Sequence, residues 1–253
     1  MAQIVNGRYD WKTKISSTLE GYEKIIIHPG LPFENLSPYA IVDAEGILLE
    51  NAWQFSKIYK YIHPQKQMSY ISGIRGKLLI WDHPAEIHVD EKGVPTKDYW
   101  KWREKGFSNK YAIRFPNGYT GAKEALGSFH LMEDGWYYLL DYIDARKKIY
   151  CNRYIDALVN KNCLPATLSE FESLKKRVRR GEKLLIIEVD GPTHGKSTPY
   201  NKIVKSHKLG DEGVDVMDAT KENIVDALNN PERSFGHGYC VSTLIQNKKE
   251  WLK

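Results

Sequence analysis

The segment ENAWQFSKIY contains four side chains that could act together in one site: Glu50, Trp53, Gln54 and Lys57. The last three follow Glu50 at spacings of three, four and seven residues. On a helix these spacings bring all four side chains to one face. A carboxylate, an indole, an amide and an amine are groups that line nucleotide pockets, where the indole stacks on a base. The spacing therefore predicts a nucleotide site on this helix. A solvent-exposed face with an i,i+7 charge pattern is the alternative interpretation.

A second pair of acids, Glu188 and Asp190, lies in the stretch LLIIEVDGPTHGKST. On an extended strand both side chains point to the same side, because side chains alternate with a period of two. Two acids at the end of a strand can transfer protons or hold a ribose hydroxyl. Ion pairing with the abundant lysines or capping of the next turn is the alternative.

The glycines of the same stretch resemble a phosphate-binding loop only at first sight. Gly191 and Gly195 enclose three residues, whereas a P-loop has four before its Gly-Lys pair. Pro192 also lacks the N–H that a phosphate would need. We therefore do not expect a P-loop. A nucleotide kinase or sugar-nucleotide transferase that uses DGPTHGKST stays as an alternative, which magnesium-dependent nucleotide binding would favour.

A glycine-rich segment, SFGHGY, comes just before the last predicted helix and contains Phe235, Gly236, His237 and Gly238. Glycine lets the backbone approach a ligand closely, and a helix N-terminus attracts anions. The segment is therefore a candidate for substrate binding. As an isolated motif it has low specificity.

Composition predicts one folded, soluble domain. The chain has 253 residues, of which 42% are hydrophobic, enough for a sizeable core. It contains no apolar stretch long enough to span a membrane, and MAQIVNGRYDWKTK lacks the apolar core of a signal peptide. We therefore expect a cytoplasmic protein without a membrane partner. Cys151, Cys163 and Cys240 lie far apart, which fits neither a disulfide framework nor a zinc site.

The net charge is mildly positive and favours anionic partners. It is +5, with a pI near 8.8, which fits a nucleotide, an ADP-ribose group or nucleic acid. The densest basic run, KKRVRR, precedes Gly181, so we interpret it as the last turn of a helix. Nucleic acid stays a possible partner.

The pattern of apolar residues predicts an α+β fold that is mostly helical, with a small sheet in a single domain. Short strands are expected at KIIIH and PYAIV, and a buried strand at KLLIIEV. The region 73–127 is predicted to form small strands and loops. Helices are predicted at 49–62, 135–159, 167–181, 221–230 and 240–252.

Taken in order, these motifs resemble those of the NADAR (NAD and ADP-ribose) family, whose members resemble N-glycosidases that act on ADP-ribose or ribosyl-amine conjugates. The match begins at Leu36-Ser37, continues through a turn at Gly46, and is most specific in the pattern E-x-x-W-Q-x-x-K from Glu50 to Lys57. It resumes at the strand ending in Glu188 and at the FGHG segment. This chain has Phe235 where the family has Trp, and it is longer at about 70–130 and 192–232.

The resemblance implies cleavage of a ribose C1′–N bond without a metal or a redox cofactor. An anionic side chain would stabilise the positive charge that develops at C1′, and a lysine with a lowered pKa could attack C1′. A non-catalytic module that binds ADP-ribose or a nucleotide, and a basic nucleic-acid-binding protein, are the alternatives. The implied catalytic residues are Glu50, Lys57 and Glu188, and the implied substrate-binding residues are Ser37, Trp53, Gln54, Asp190, Phe235, Gly236, His237 and Gly238.

Overall fold

A computed structural model describes residues 2–10, 12–70, 78–192 and 216–253. These residues contain both helices and strands, which confirms the α+β class. They form two compact units, Met1–Ser37 with Tyr154–Lys253, and Pro38–Arg153. The single domain with added segments at about 70–130 and 192–232 stays a prediction. Within the described ranges, no helix is both long and apolar enough to cross a membrane.

The strands in the described ranges are short, and the longest of these has seven residues. They are β1 (Ile4–Asp10), β2 (Ile15–Ser16), β3 (Glu23–Ile26), β4 (Lys57–Ile58), β5 (Tyr61–Ile62), β6 (Gln65–Tyr70), β7 (Leu78–His83), β8 (Glu86–Ile87), β9 (Gly127–Leu131), β10 (Tyr137–Leu140), β11 (Leu184–Glu188) and β12 (Val216–Asp218).

The helices are of α, 3₁₀ and π type. The α-helices are α1 (Leu49–Phe55), α2 (Lys97–Phe107), α3 (Gly118–Gly121), α4 (Tyr142–Ala145), α5 (Asn152–Leu158), α6 (Pro165–Arg179), α7 (Lys221–Asn229) and α8 (His237–Ile245). The 3₁₀ segments are Glu34–Leu36, Ala122–Glu124 and Lys249–Leu252, and Arg146–Cys151 is a π-helical segment between α4 and α5.

The first unit is built on a sheet with the strand order β12-β1-β11-β3, and β2 also pairs with β1. The predicted buried strand, β11, lies between β1 and β3 and is parallel to both. All five of its residues are buried, and the first four are apolar, as expected for a strand between parallel neighbours. The carboxyl ends of β1 and β11 therefore lie side by side.

A turn follows β11 and passes very close to β1. A Cβ atom added at Gly191 would collide with the carbonyl oxygen of Gly7, so only glycine allows this approach. Gly191 thus has a packing role. Gly195 and Lys196, on which the kinase alternative depends, lie outside the described residues.

The second unit contains a three-stranded antiparallel sheet with the order β10-β9-β4 and two two-stranded antiparallel sheets, β5–β8 and β6–β7. Helix α2 packs against α1, where a Cβ added at Gly106 would collide with the Phe55 ring. The buried side chains between these elements include Ile58, Tyr59 and Trp102. This core fixes the position of α1.

The predicted helix 49–62 is too long. Helix α1 ends at Phe55, and Lys57 and Ile58 form a strand that pairs with Ser128 and Gly127. Aromatic and β-branched residues follow Phe55, and these favour strands. The pairing with β9 satisfies the backbone groups that a longer helix would have used.

The predicted helix 135–159 and the predicted strand PYAIV are also wrong in part. Tyr137–Leu140 is a strand, and the helix begins only after Asp141, whose side chain accepts a hydrogen bond from the Asp144 N–H and caps it. In PYAIV, Val42 alone forms a bridge, to Leu48. The region 73–127 contains α2, a helix where small strands and loops were predicted.

The helix predicted at 167–181 begins earlier, although Thr167 and Glu170 have the spacing of a capping box. Helix α6 starts at Pro165 after the N-cap residue Leu164, and Thr167 is buried inside it. The Glu170 carboxylate instead accepts a hydrogen bond from Asn35. Gly181 follows the helix with a φ of 89°, as predicted for its end.

Candidate functional site

Glu50, Gln54 and Lys57 form a hydrogen-bonded chain in the second unit. Lys57 Nζ donates to Gln54 Oε1 at 2.8 Å, and Gln54 Nε2 donates to Glu50 Oε1 at 2.9 Å. Helix α1 carries the first two residues, and β4 carries the lysine. Glu50 is 6% exposed and Gln54 is 5% exposed. The structure therefore brings the three predicted residues together, and the alternative of a solvent-exposed face is wrong for Glu50 and Gln54.

The indole of Trp53 forms one side of this group. Its ring lies 5.0 Å from Lys57 Nζ, which is within cation–π distance. It also contacts the rings of Tyr142 and Tyr150, with centroid distances of 6.1 and 5.5 Å. The amine is thus held between an aromatic face and the Gln54 amide.

The π-helical segment Arg146–Cys151 supplies part of these surroundings. It carries Tyr150, and its Arg146 guanidinium lies 4.2 Å from the Tyr142 ring and is 1% exposed. Inserted π turns are frequent at functional sites. Arg146 could not be recognised from the sequence, because a π turn produces no distinct pattern in an amphipathic helix.

The amine of Lys57 has an altered acidity. Burial lowers its pKa to about 8, and the nearby Glu50 carboxylate opposes this shift. At neutral pH roughly a tenth of such an amine is uncharged, compared with less than a thousandth for an ordinary lysine. The uncharged amine is the form that can act as a nucleophile.

The acylation rate of Lys57 by acetic anhydride is expected to rise with pH around a midpoint of about 8. Peptide mass spectrometry after short pulses of reagent would measure this rate. The same lysine in the urea-unfolded chain is the control, and there the midpoint of the acylation rate should lie at about pH 10.4. Equal midpoints in the folded and unfolded chains would contradict the effect of burial.

Glu188 lies in the first unit and is 2% exposed. Its Oε1 accepts a hydrogen bond from the Gly238 N–H at 2.9 Å, and its Oε2 lies 3.0 Å from His237 Nδ1. A Cβ added at Gly236 would collide with this carboxylate. The glycine-rich segment therefore closes around Glu188, and the Gly238 N–H, which belongs to the segment predicted to bind substrate, is bonded to the carboxylate.

His237 joins Glu188 to the backbone of the central sheet. Its Nε2 donates to the Ile27 carbonyl oxygen at 2.9 Å. Burial alone lowers the pKa of His237, but the Glu188 carboxylate and this carbonyl together raise it above the usual value. Since both ring nitrogens face acceptors, the charged imidazolium is the favoured form. The structure thus places this predicted substrate-binding residue against a predicted catalytic one.

The other predicted substrate-binding residues of the first unit lie in different environments. Ser37 is fully buried, and its N–H donates to the Glu34 carbonyl oxygen. Phe235 is buried and stacks on Tyr239 with a centroid distance of 5.1 Å. Asp190 is exposed and lies in a turn. Because β11 ends at Glu188, the prediction that both acids point to one side of a strand is wrong.

The predicted catalytic residues belong to two units. Glu50 and Lys57 are in Pro38–Arg153, and Glu188 is in the unit that contains both ends of the chain. Their joint action on one ribose stays a prediction. No three His, Cys, Asp or Glu side chains are grouped as metal ligands in the described ranges. That the reaction needs neither a metal nor a redox cofactor also stays a prediction.

No protein-family model, no curated protein and no solved structure matches this chain. The resemblance to the NADAR family therefore rests on the motifs alone and stays a prediction. The geometry of the described side chains is the independent basis for a functional proposal.

Proposed function

We propose that this protein is an N-glycosidase that cleaves the ribose C1′–N bond of a ribosylated or ADP-ribosylated nucleobase or nucleotide. The observation that carries the proposal is the Lys57 amine, whose lowered pKa and contacts with Gln54 and Trp53 suit a nucleophile. The buried Glu50 carboxylate, linked to the amine through Gln54, is the matching anion. Together they supply the nucleophile and the anion that the reaction needs.

The reaction begins with attack of the uncharged Lys57 Nζ on C1′. The new C–N bond forms as the C1′–N bond to the base breaks, and the bonding electrons leave with the base nitrogen. The proton that Lys57 loses balances the proton that the departing base takes up. Ring opening gives an imine on Lys57, and addition of water returns the free amine and releases the ribose aldehyde.

Glu50 stabilises the positive charge that builds on C1′ and O4′ in this step. Trp53 offers an aromatic face to the base, and the Gln54 amide fixes the orientation of the amine. The resemblance also assigns Glu188 to catalysis. Since both of its oxygens contact Gly238 or His237, we assign it no separate chemical step.

Incubation with NAD, ADP-ribosylated nucleosides and ribosylamine conjugates is expected to release a free base, which reversed-phase chromatography would detect. Borohydride added during turnover should reduce the imine and leave a ribose group on Lys57, visible as added protein mass. The Lys57→Ala variant should gain no such mass. Lys60→Ala, which removes an exposed lysine of the same unit, is the matched control and should be labelled normally.

The alternatives predict other results. A binding module would retain ADP-ribose without releasing a base from any member of this panel. A kinase or sugar-nucleotide transferase would need magnesium and would leave the glycosidic bond intact. Base release without a Lys57 adduct would support N-glycosidase activity and would exclude a covalent intermediate on Lys57.

A further inference from the structure

Strand β10 lies at one end of the three-stranded sheet of the second unit and exposes a group of apolar side chains. Trp136, Tyr137, Tyr138 and Leu139 are consecutive, and they are 72%, 44%, 46% and 54% exposed. Single exposed apolar residues are ordinary, whereas a group of neighbouring ones marks an interaction site. The proposed N-glycosidase reaction uses none of these four residues.

The backbone of β10 has hydrogen-bonding groups that point away from the sheet. Among the described residues, β10 pairs with β9 on one side and with no strand on the other. The Phe129 N–H donates to the Ser56 carbonyl oxygen on the β4 side of β9. Phe129 and the opposite residue, Leu139, are therefore a non-hydrogen-bonded pair. The N–H and C=O groups of Leu139, and those of Tyr137 two residues earlier, are thus directed to the free edge.

The free edge of β10 lacks the features that usually prevent another strand from pairing with a sheet. Proline and charged residues, especially lysine, are the common protective features. The strand has the sequence YYLL, which contains neither. It is therefore suited to β-augmentation, in which an extended segment of a partner joins the sheet through main-chain hydrogen bonds.

Acidic residues at both ends of β10 indicate the charge of the partner. Glu133 and Asp134 lie in the exposed turn before the strand, and the exposed Asp141 follows it. The hydrogen bonds that Asp134 and Asp141 accept come from uncharged donors. In the part of the chain that the structure describes, no ion pair involves these three carboxylates. An added strand with Lys or Arg at each end would complement them.

A second copy of this chain fits the edge less well than a basic partner. Antiparallel pairing of two copies of β10 about Tyr138 would bring Asp141 of each copy beside Asp134 of the other, and like charges repel. Two cations near the sheet, Arg103 and Lys148, do not offset this repulsion. Arg103 is 9% exposed and donates to a carbonyl oxygen of β9, and Lys148 is already in an ion pair.

We propose that β10 is the docking strand for an extended segment of a partner protein, with alternating apolar residues between basic flanks. The main chain of this segment pairs with Tyr137 and Leu139, and its apolar side chains pack beside the exposed side chains of β10. Its Lys or Arg residues face the acidic residues at the two ends of the strand. The surface uses neither Glu50 nor Lys57, so docking and cleavage of a glycosidic bond can fail independently.

Isothermal titration of the full chain with synthetic peptides tests this proposal. Each peptide has alternating valine and threonine residues between two flanks, and the flanks are lysine, serine or glutamate. The lysine-flanked peptide is expected to bind at least about tenfold more tightly than the glutamate-flanked one, with the serine-flanked peptide between them. Its affinity should fall as salt is added. Absence of binding by the lysine-flanked peptide, or equal binding of all three peptides, would overturn the proposal.

Hydrogen exchange measured by NMR distinguishes strand addition from non-specific adhesion. The lysine-flanked peptide should slow exchange of the Tyr137 and Leu139 amides, which point to the free edge. The Tyr138 amide faces β9, so its exchange should change less and serves as the internal control. Equal effects on all three amides, or no effect on any of them, would contradict pairing at this edge.

Leu139→Pro removes an N–H from the free edge and is expected to weaken binding of the lysine-flanked peptide at least about tenfold. If this variant fails to fold, Leu139→Lys, which places a cation at the edge, should weaken binding similarly. Glu133→Gln combined with Asp141→Asn should reduce the affinity to that of the serine-flanked peptide, since Asn is still a good helix N-cap. Glu91→Gln, which removes an exposed acid of the same unit, should leave Kd unchanged. Self-association that Leu139→Lys abolishes, without peptide binding, would overturn the proposal and indicate a second copy as the occupant.

Discussion

Glu50→Gln is expected to lower turnover of the cleaved conjugate by about 10²- to 10⁴-fold while substrate still binds. The amide keeps the size of the side chain and an oxygen to accept the hydrogen bond from Gln54. It loses the negative charge that stabilises an oxocarbenium-like C1′. Base release at saturating substrate would give kcat, and titration with a slowly cleaved conjugate would give Kd.

Glu45→Gln provides the matched control, because Glu45 is an exposed glutamate of the same unit. Its kcat should stay within about twofold of the wild type, as expected for a surface substitution. Full activity of the Glu50 variant would show that α1 does not carry the chemistry. The N-glycosidase mechanism would then have to be abandoned.

The sequence could predict the parts of the fold that depend on local signals. The run LLII is apolar throughout, so it indicates a strand buried on both sides, and β11 is such a strand. Gly181 marks the end of α6 because its positive φ favours glycine. In both places the residue type alone restricts the structure.

The end of α1 could not be predicted in the same way. Ile58, Tyr59 and Ile62 are buried, and their spacing fits a helical face as well as a pair of short strands. Pairing of β4 with Gly127 and Ser128 decides between the two. This pairing joins residues that are far apart in the chain, and no sequence pattern within residues 49–62 indicates it. The predicted grouping of Lys57 with Gln54 is still present, because Lys57 reaches Gln54 from β4.

The grouping around Glu188 shows the same limit. The sequence marks Glu188 and the glycine-rich segment as candidate site residues, but about fifty residues separate them along the chain. Only the folded structure shows that Gly236 and Gly238 lie against the carboxylate.

Glu188→Ala is expected to destabilise the protein by about 3–5 kcal/mol, the range for removing one partner of a buried ion pair. The substitution removes the anion that faces His237 and leaves the Gly238 N–H without its acceptor. It also removes a negative charge from the N-terminus of α8, where the helix dipole favours one. The fall in Tm should be roughly 6–20 °C, measured by circular dichroism.

Glu20→Ala is the control for this loss, since Glu20 is exposed in the same unit and its removal should cost no more than about 0.5 kcal/mol. Gly236→Ala tests the close contact from the other side. Its methyl group would collide with the Glu188 carboxylate, so this variant should also melt at a lower temperature than the wild type. Unchanged melting of both variants would contradict a structural role for the pair.

The pH dependence of Tm distinguishes the contribution of the His237 charge to stability from the contribution of side-chain packing. Glu188→Gln keeps an acceptor for Gly238 but loses the charge that raises the pKa of His237. Because the folded-state pKa of His237 lies above the ordinary 6.5, its stabilising contribution is complete below about pH 6.5. That contribution is lost as pH rises through the folded-state pKa. The Tm difference between the wild type and Glu188→Gln should therefore be largest near pH 5.5 and shrink towards pH 9. A constant difference across this range would mean that His237 is uncharged beside Glu188.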